Sequence, residues 1–299
     1  MTIENSSALP YFLALCSTLS FAVASLVFAQ YTEKLGTLWM NTFKVMVATS
    51  FLLLICPWIG GFDKISMLTL ISLVTSGFIG LVIGDLFLLQ AFFKLGPSRT
   101  LMLFGFQPLI IGTLNWILFS QTLKATQLYA VFFLIGSLVI FSLESKKSTG
   151  TWNVQGLGFA LIGVALDAVG VVLTRYGFND SPDFHVLNGH FIRCSGALFG
   201  FFLIHIFFKK IHILKKFQTL NLKSKFQVTM GSFLGTFVSL CFYLTAIKLG
   251  NIATLSSVAI TGPLFAGLFE CLHQKKWPSK EVLMATFLFI CGFYILVGN

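Results

Sequence analysis

Long apolar runs follow one another along the chain and are separated by short segments rich in Pro, Gly and charged residues. A helix needs about 20 mostly apolar residues to cross the hydrocarbon core of a bilayer. Because the runs are continuous rather than alternating, they favour helices over the short strands of a membrane barrel. The pattern predicts ten transmembrane helices, named spans one to ten in chain order: Leu9–Gln30, Thr37–Cys56, Met67–Phe93, Thr100–Ser120, Thr126–Leu143, Val154–Tyr176, Val186–Phe208, Phe226–Ile247, Ile252–Leu272 and Val282–Val297.

The composition supports an all-α membrane protein and excludes a water-soluble fold. Hydrophobic residues make up 56% of the 299 residues and charged residues only 10%, with a mean hydropathy of +0.89. Soluble domains carry about 25% charged residues. The six cysteines lie in apolar runs without a CxxC pair, so neither a disulfide framework nor a metal site is predicted. There is no GxxxxGK[ST] motif, and no cofactor is predicted.

The basic residues between the spans are distributed unequally between the two sides of the membrane. If the ten spans alternate in direction, one side carries Lys64, Lys124, Arg175 and Lys248. The other side carries a larger set: Lys34, Lys94, Arg99, Lys146, Lys147, Lys209, Lys210, Lys215, Lys216, Lys223, Lys225, Lys275, Lys276 and Lys280. The positive-inside rule makes this richer side cytoplasmic and places both termini outside. We therefore expect a multi-pass protein of the inner (plasma) membrane.

The net charge of +10 needs no nucleic-acid partner. The basic stretch between residues 209 and 225 is typical of a topology anchor that contacts anionic membrane lipid. Apart from Phe217, it lacks the interleaved aromatic residues on which bases would stack. The expected partners are a small-molecule substrate and membrane lipid, with the protein acting as a monomer or a homodimer.

An internal repeat divides the chain into two halves, residues 1–147 and 148–299. Lys94-Leu95-Gly96 at the end of span three recurs as Lys248-Leu249-Gly250 at the end of span eight, an offset of 154 residues. Further pairs keep the same order with slowly drifting offsets: Lys44 and Arg193, Gly77 and Gly231, Thr100 and Thr254, Pro108 and Pro263, Gly136 and Gly292. Five spans per half is an odd number, so the second half is expected to be inverted. Inverted repeats are typical of transporters that work by alternating access.

Charged residues within the spans are the first candidates for function, because a charge at the bilayer centre costs about 2.5–3.5 kcal/mol on insertion scales. Five residues qualify: Lys44, Asp85, Asp167, Arg193 and Glu270. Asp167 lies nearest the middle of a span. Since burial disfavours the charged form of a carboxyl group, Asp167 is a candidate proton-coupling and substrate-binding group. The alternative is a structural ion pair with Lys44 or Arg193.

The two basic residues offer a second kind of site. Lys44 and Arg193 could bind a substrate carboxylate or phosphate, since a guanidinium presents a fork of donors. Alternatively they cap neighbouring helices or extend toward the interface. Asp85 is either an acid in a cavity or a partner for one of these bases, and Glu270 is expected to be interfacial.

Uncharged polar residues complete the candidate set. Asn41 and His190 each lie three residues before a basic residue, hence on nearly the same helix face. Gln107 precedes Pro108, whose missing N–H leaves a backbone carbonyl free to bind a ligand or water. The alternative for each is hydrogen bonding or packing between helices. The predicted substrate-binding residues are Asn41, Lys44, Asp85, Gln107, Asp167, His190, Arg193 and Tyr243, with Thr261, Asn115 and Trp116 as further candidates.

These features together resemble one family of membrane proteins. The two-by-five arrangement, the Pro-containing spans four and nine, the basic pair Lys44 and Arg193, and the segment from Gly84-Asp85 to Gly96-Pro97-Ser98-Arg99 are similar to the EamA-type branch of the drug/metabolite transporter superfamily. The resemblance implies a secondary transporter with no ATP-binding site. The Leu-Gly-Glu common after the proline spans is replaced by Phe119-Ser120-Gln121 and Gln274-Lys275-Lys276. The role of that glutamate is therefore not transferred to this chain.

The function predicted from the sequence is secondary active transport of a small polar metabolite, such as an amino acid or nucleoside, coupled to protons or to exchange. A lipid scramblase or polar-lipid carrier is the alternative. An intramembrane protease is disfavoured, because Val82-Ile83-Gly84-Asp85 lacks the first glycine of Gly-x-Gly-Asp and no Tyr-Asp occurs. A channel would not need an inverted repeat. We predict no enzymatic activity.

Overall fold

The computed structural model describes residues 9–62, 65–119, 153–208, 212–250 and 277–297, with isolated residues between 129 and 143 and between 255 and 272. The described part of the chain contains helices and no strand. Six helices are long and apolar enough to cross a membrane: Leu9–Leu35, Thr37–Ile59, Met67–Leu95, Val154–Asp180, Val186–Phe207 and Leu222–Leu249. They correspond to spans one, two, three, six, seven and eight. The all-α membrane class is confirmed, while the total of ten spans stays a prediction.

The remaining spans are described to different extents. Span four is helical from Pro97 to Phe119 and includes a short 3-10 segment, Leu103–Phe106. Span ten corresponds to the helix Lys280–Val297. Spans five and nine lie largely outside the described residues. A short linker helix, Ile213–Gln218, lies between spans seven and eight and was not predicted.

Spans one and eight are longer than predicted. Span one continues to Leu35 and span eight begins at Leu222 rather than Phe226. The additional turns carry Glu33, Lys34, Lys223 and Lys225. Hydropathy ends a span at its first charges, whereas a helix satisfies its own backbone hydrogen bonds and continues into the polar interface.

Spans three and eight each contain a π-helical segment. The segment of span three is Gly77–Gly84 and that of span eight is Phe233–Val238. Moving the second segment back by the repeat offset of 154 residues places it inside the first. π segments are rare and occur frequently at functional sites. The resemblance between the halves therefore extends to a local feature of the backbone.

The two halves are packed into one another. Span one packs along span eight, and span six packs along span three. Both contacts depend on small residues: a Cβ on Gly163 would lie 3.0 Å from the backbone N of Leu88, and one on Gly235 would lie 2.5 Å from the Cβ of Ala24. Membrane helices associate largely by such close packing, because lipid is as apolar as the helix surface.

Span seven also contacts the π segment of span three at its backbone. A Cβ on Gly77 would lie 2.1 Å from the backbone oxygen of Arg193, a distance that no real side chain allows. Glycine is therefore required for this approach. The contact places Arg193, a residue of the second half, directly beside the π segment of the first half.

Candidate functional site

A buried ion pair joins spans two and three of the first half. The Lys44 Nζ donates to the Asp85 Oδ2 at 2.5 Å, and the two residues are only 2% and 8% exposed. Lys44 Nζ also lies 5.1 Å from the ring centroid of Phe28, within the range of a cation–π contact. Of the two bases considered for Asp85, the structure therefore pairs it with Lys44.

Asn41 and His190 make matching contacts with the two π segments. Asn41 Nδ2 donates to the backbone oxygens of Leu81 and Val82 at 3.0 and 3.2 Å. His190 Nε2 lies 2.9 Å from the backbone oxygen of Thr236. Because a carbonyl only accepts, this Nε2 carries the proton. Val82 and Thr236 are 154 residues apart, which is the repeat offset, so the same device occurs in both halves.

Asp167 of span six is connected to span four by a hydrogen bond between the halves. Gln107 Nε2 donates to the Asp167 Oδ2 at 2.7 Å. Gln107 is buried and Asp167 is half-buried. Lys44, Asp85 and Arg193 are near enough to interact electrostatically with Asp167. Neither Lys44 nor Arg193 forms a salt bridge with Asp167 in the described structure. The structure therefore does not show the structural ion pair that was the alternative for Asp167.

Arg193 lies deep in the protein with donors that have no acceptor. It is 2% exposed, and its Nε and Nη1 have no hydrogen-bond partner. Its Nη2 approaches Gly80 of the π segment, 3.7 Å from where a Cβ on that glycine would lie. Asp167 and Asp85 lie within electrostatic range of the guanidinium. Most buried polar groups in proteins are hydrogen-bonded, so exceptions call for an explanation.

Tyr243 of span eight adds a second group without a partner. Its hydroxyl is buried and makes no hydrogen bond. It is within electrostatic range of both Arg193 and Asp167. The predicted residues Lys44, Asp85, Gln107, Asp167, Arg193 and Tyr243 therefore form one cluster in the middle of the protein, whereas Asn41 and His190 support the helices around it.

Ser239 is a residue that the sequence interpretation missed. It lies 154 residues after Asp85 and therefore occupies the repeat position of that acid in span eight. Its Oγ lies 3.0 Å from the Oγ of Ser17 in span one, and both residues are buried. The repeat offset alone could have identified it. The second half thus has a hydroxyl where the first half has the carboxylate that pairs with Lys44.

A cavity of about 930 Å³ lies between spans two, three, six and seven, near their predicted cytoplasmic ends. Its lining is mostly apolar, with Leu38, Leu86 and Phe159 among the residues, and it includes Lys94 and Lys216. Of the described residues that line it, none belongs to the predicted substrate-binding set. The cavity and the polar cluster are therefore separate features.

The remaining candidates from the sequence are Glu270, Asn115, Trp116 and Thr261. Glu270, and the side chains of Asn115 and Trp116, lie outside the described residues. Thr261 Oγ1 donates to the backbone oxygen of Val258 at 2.8 Å, which is a local helix contact. Among the residues that the structure describes, no group of three or more His, Cys, Asp or Glu residues could hold a metal ion.

The fold and the cluster define a class: a multi-pass helical membrane protein in which two related halves enclose buried polar side chains. The sequence model of the EamA-like transporter family matches the chain twice, over residues 8–143 and 154–298. The chain belongs to the EamA-like transporter family, and the resemblance noted in the sequence is confirmed. The boundary predicted between residues 147 and 148 stays a prediction.

A solved structure extends the comparison to three dimensions. One crystal structure matches with a TM-score of 0.70 at 14% sequence identity, covering 97% of this chain and 96% of that protein. At this identity the likeness concerns the fold alone. No curated protein matches the sequence.

Proposed function

We propose that the protein is a secondary transporter that moves a small polar metabolite, such as an amino acid or nucleoside, by alternating access. The observation that carries the proposal is the buried cluster to which both halves contribute, with Gln107 of span four bonded to Asp167 of span six. Within this cluster the Nε and Nη1 of Arg193 and the hydroxyl of Tyr243 have no hydrogen-bond partner, which leaves them available to a solute. An inverted repeat provides two equivalent conformations, open to opposite sides.

The proposed coupling group is Asp167. The Gln107 amide donates to its carboxylate, a charge-assisted bond that is stronger than one between neutral groups. A proton or a substrate cation on Asp167 weakens this bond, and with it a direct link between the two halves. Occupancy of the site is thereby connected to movement of span four relative to span six. We propose that spans three and eight change conformation at their π segments during this movement.

Reconstitution tests the proposal. We expect purified protein in liposomes to give solute-dependent counterflow for at least one member of a panel of amino acids, nucleosides and related metabolites. Asp167→Asn should abolish any dependence of uptake on a proton gradient while leaving exchange partly intact. Unchanged proton dependence in this variant would exclude Asp167 as the coupling group. The absence of counterflow across the whole panel, with lipid flipping present instead, would replace the metabolite transporter with a lipid carrier.

A lipid scramblase or polar-lipid carrier is the second candidate, and the cavity favours it. An apolar lining with Lys94 and Lys216 near the predicted cytoplasmic face suits an amphiphile with an anionic headgroup. The same liposomes distinguish the two candidates when they contain a fluorescent phospholipid. Lipid flipping without counterflow would favour this alternative.

We also propose that the protein resides in the inner (plasma) membrane with both termini outside the cytoplasm. The basic residues on one predicted side support this orientation. Reporter fusions at each terminus that are active on only one side of the membrane test it. Cytoplasmic signals from both fusions would reverse the assignment, and a cytoplasmic signal from only one would contradict an even number of spans.

A further inference from the structure

The two bases of the repeat, Lys44 and Arg193, differ in how their charges are balanced. Lys44 has Asp85 at 2.5 Å. At the repeat position of Asp85, the second half has Ser239, whose hydroxyl contacts Ser17. Arg193 therefore lacks the acid that its counterpart has. No described carboxylate lies within salt-bridge distance of Arg193, and two of its nitrogens have no partner.

A buried charge in this situation requires an explanation. Leaving one charge of a buried pair without its partner is strongly destabilising, so proteins pair or hydrogen-bond such groups. The nearby carboxylate of Asp167 already accepts a hydrogen bond from Gln107. The Tyr243 hydroxyl, also without a partner, adds another possible donor in range of the guanidinium. In the described structure, no acceptor lies within hydrogen-bond distance of the Arg193 Nε or Nη1, and no carboxylate oxygen lies within salt-bridge distance of the guanidinium.

We propose that the transported solute carries an anionic oxygen group, a carboxylate or a phosphate, which binds to the guanidinium of Arg193. This inference rests on the proposed transport function and narrows its substrate class. A guanidinium suits both anions, because its planar donors match carboxylate and phosphate oxygens. The bound anion supplies the negative charge that Asp85 supplies to Lys44.

The first test compares two variants without any ligand. Lys44→Gln leaves the Asp85 carboxylate buried and unpaired, and should lower the melting temperature in detergent by roughly 6 °C or more. Arg193→Gln removes a buried charge that forms no salt bridge with a described residue, so its melting temperature should equal or exceed that of the wild type. An equal loss in both variants would assign Arg193 a structural pairing and overturn the proposal.

The second test adds anions to the wild type at constant ionic strength. The probes are inorganic phosphate, glycerol 3-phosphate and lactate at millimolar concentration, with glycerol and lactamide as their uncharged counterparts. We expect at least one anion to raise the melting temperature by roughly 2–4 °C or more through binding to the folded state. The uncharged counterparts should give no shift, and Arg193→Gln should not respond to the anions. Stabilisation by phosphates alone or by lactate alone identifies which anion the site takes.

Other outcomes of the second test contradict the proposal. If no anion stabilises the wild type, or if the same shift appears in Arg193→Gln, the inference fails. Transport measurements distinguish failure of the anion site from failure of the proposed transport function. Counterflow of uncharged solutes that is insensitive to Arg193→Gln would leave a transporter without the anion site. Anion-dependent stabilisation without counterflow would leave the anion site without transport.

Discussion

Both halves of the protein contain a π segment that accepts a hydrogen bond from a neighbouring helix, but they differ in the charged residues beside it. In each half, a side chain three residues before the basic residue reaches a π segment: Asn41 in the first half and His190 in the second. One turn further along, Lys44 meets the carboxylate of Asp85, whereas Arg193 meets no such group. The comparison separates a contact that both halves share, between a side chain and a π segment, from an ion pair that only the first half has.

The halves also differ in how closely their glycines are packed. Gly77 and Gly231 are repeat partners at an offset of 154 residues. Gly77 faces the backbone of Arg193, while Gly231 faces the side chain of Val27, with a would-be Cβ 2.6 Å from its Cγ1. The backbone of span seven cannot move away as easily as a valine side chain. The first-half position is therefore the more constrained of the two.

The largest effect should come from Asp85. Asp85→Asn keeps the shape of the side chain but leaves the Lys44 ammonium buried without a counter-ion, a loss of about 3–5 kcal/mol of unfolding free energy. The matched change at the repeat position, Ser239→Ala, removes one neutral hydrogen bond to Ser17 and should cost about 0.5–1.5 kcal/mol. Thermal or denaturant unfolding in detergent measures both.

A double variant separates the pair from its parts. Lys44→Met with Asp85→Leu removes both charges, and we expect it to be more stable than Asp85→Asn alone, because no unpaired charge remains. If Asp85→Asn and Ser239→Ala cost the same, the contrast between the halves in charge balance would be wrong.

The glycine pair should give the next largest effect. Gly77→Ala forces spans three and seven apart, because the added Cβ meets the backbone oxygen of Arg193. Overpacking of this kind costs about 1–3 kcal/mol and occasionally more, and we expect Gly77→Ala at the upper end and Gly231→Ala at the lower. Unfolding of the two variants under one set of conditions tests the order. A larger loss for Gly231→Ala would contradict the tighter packing at Gly77.

The sequence predicted much of this comparison but not all of it. Hydropathy located the spans. Lys44, Asp85 and Arg193 were identified because they are charged residues within apolar runs. The π segments could not be predicted, because an extra residue in one turn leaves the apolar composition of a span unchanged. Which base pairs with Asp85 depends on how spans two and seven each approach span three, and no simple sequence pattern contains that geometry.

Some of the missed information was available from the repeat. Applying the offset of 154 residues to Asp85 identifies Ser239, and this would have indicated that Arg193 lacks an acid at the equivalent position. The same offset applied to Val82 identifies Thr236, but its role as an acceptor depends on the backbone of a π segment. The linker helix Ile213–Gln218 was missed because its six residues are too short and too basic for a hydropathy pattern.

The smallest predicted effect tests the feature that the halves share. His190→Leu cannot donate to the backbone oxygen of Thr236, and a buried carbonyl left without its partner costs about 1–3 kcal/mol. His190→Asn introduces the residue that makes the equivalent contacts in the first half. If the two π segments are held in the same way, His190→Asn should retain much of the stability that His190→Leu loses. Unfolding measurements compare the variants, and hydrogen exchange of residues 233–238 reports on the segment itself.

The position of Asn41 supplies the control. Asn41→Leu should resemble His190→Leu in raising hydrogen exchange, but at residues 77–84 of span three, because the Asn41 amide donates to Leu81 and Val82. Each variant should therefore loosen the π segment of its own half first. Equal losses in His190→Asn and His190→Leu would mean that packing of the imidazole, rather than its hydrogen bond, stabilises span eight. The likeness between the halves would then be limited to their backbone, with different interactions holding each π segment in place.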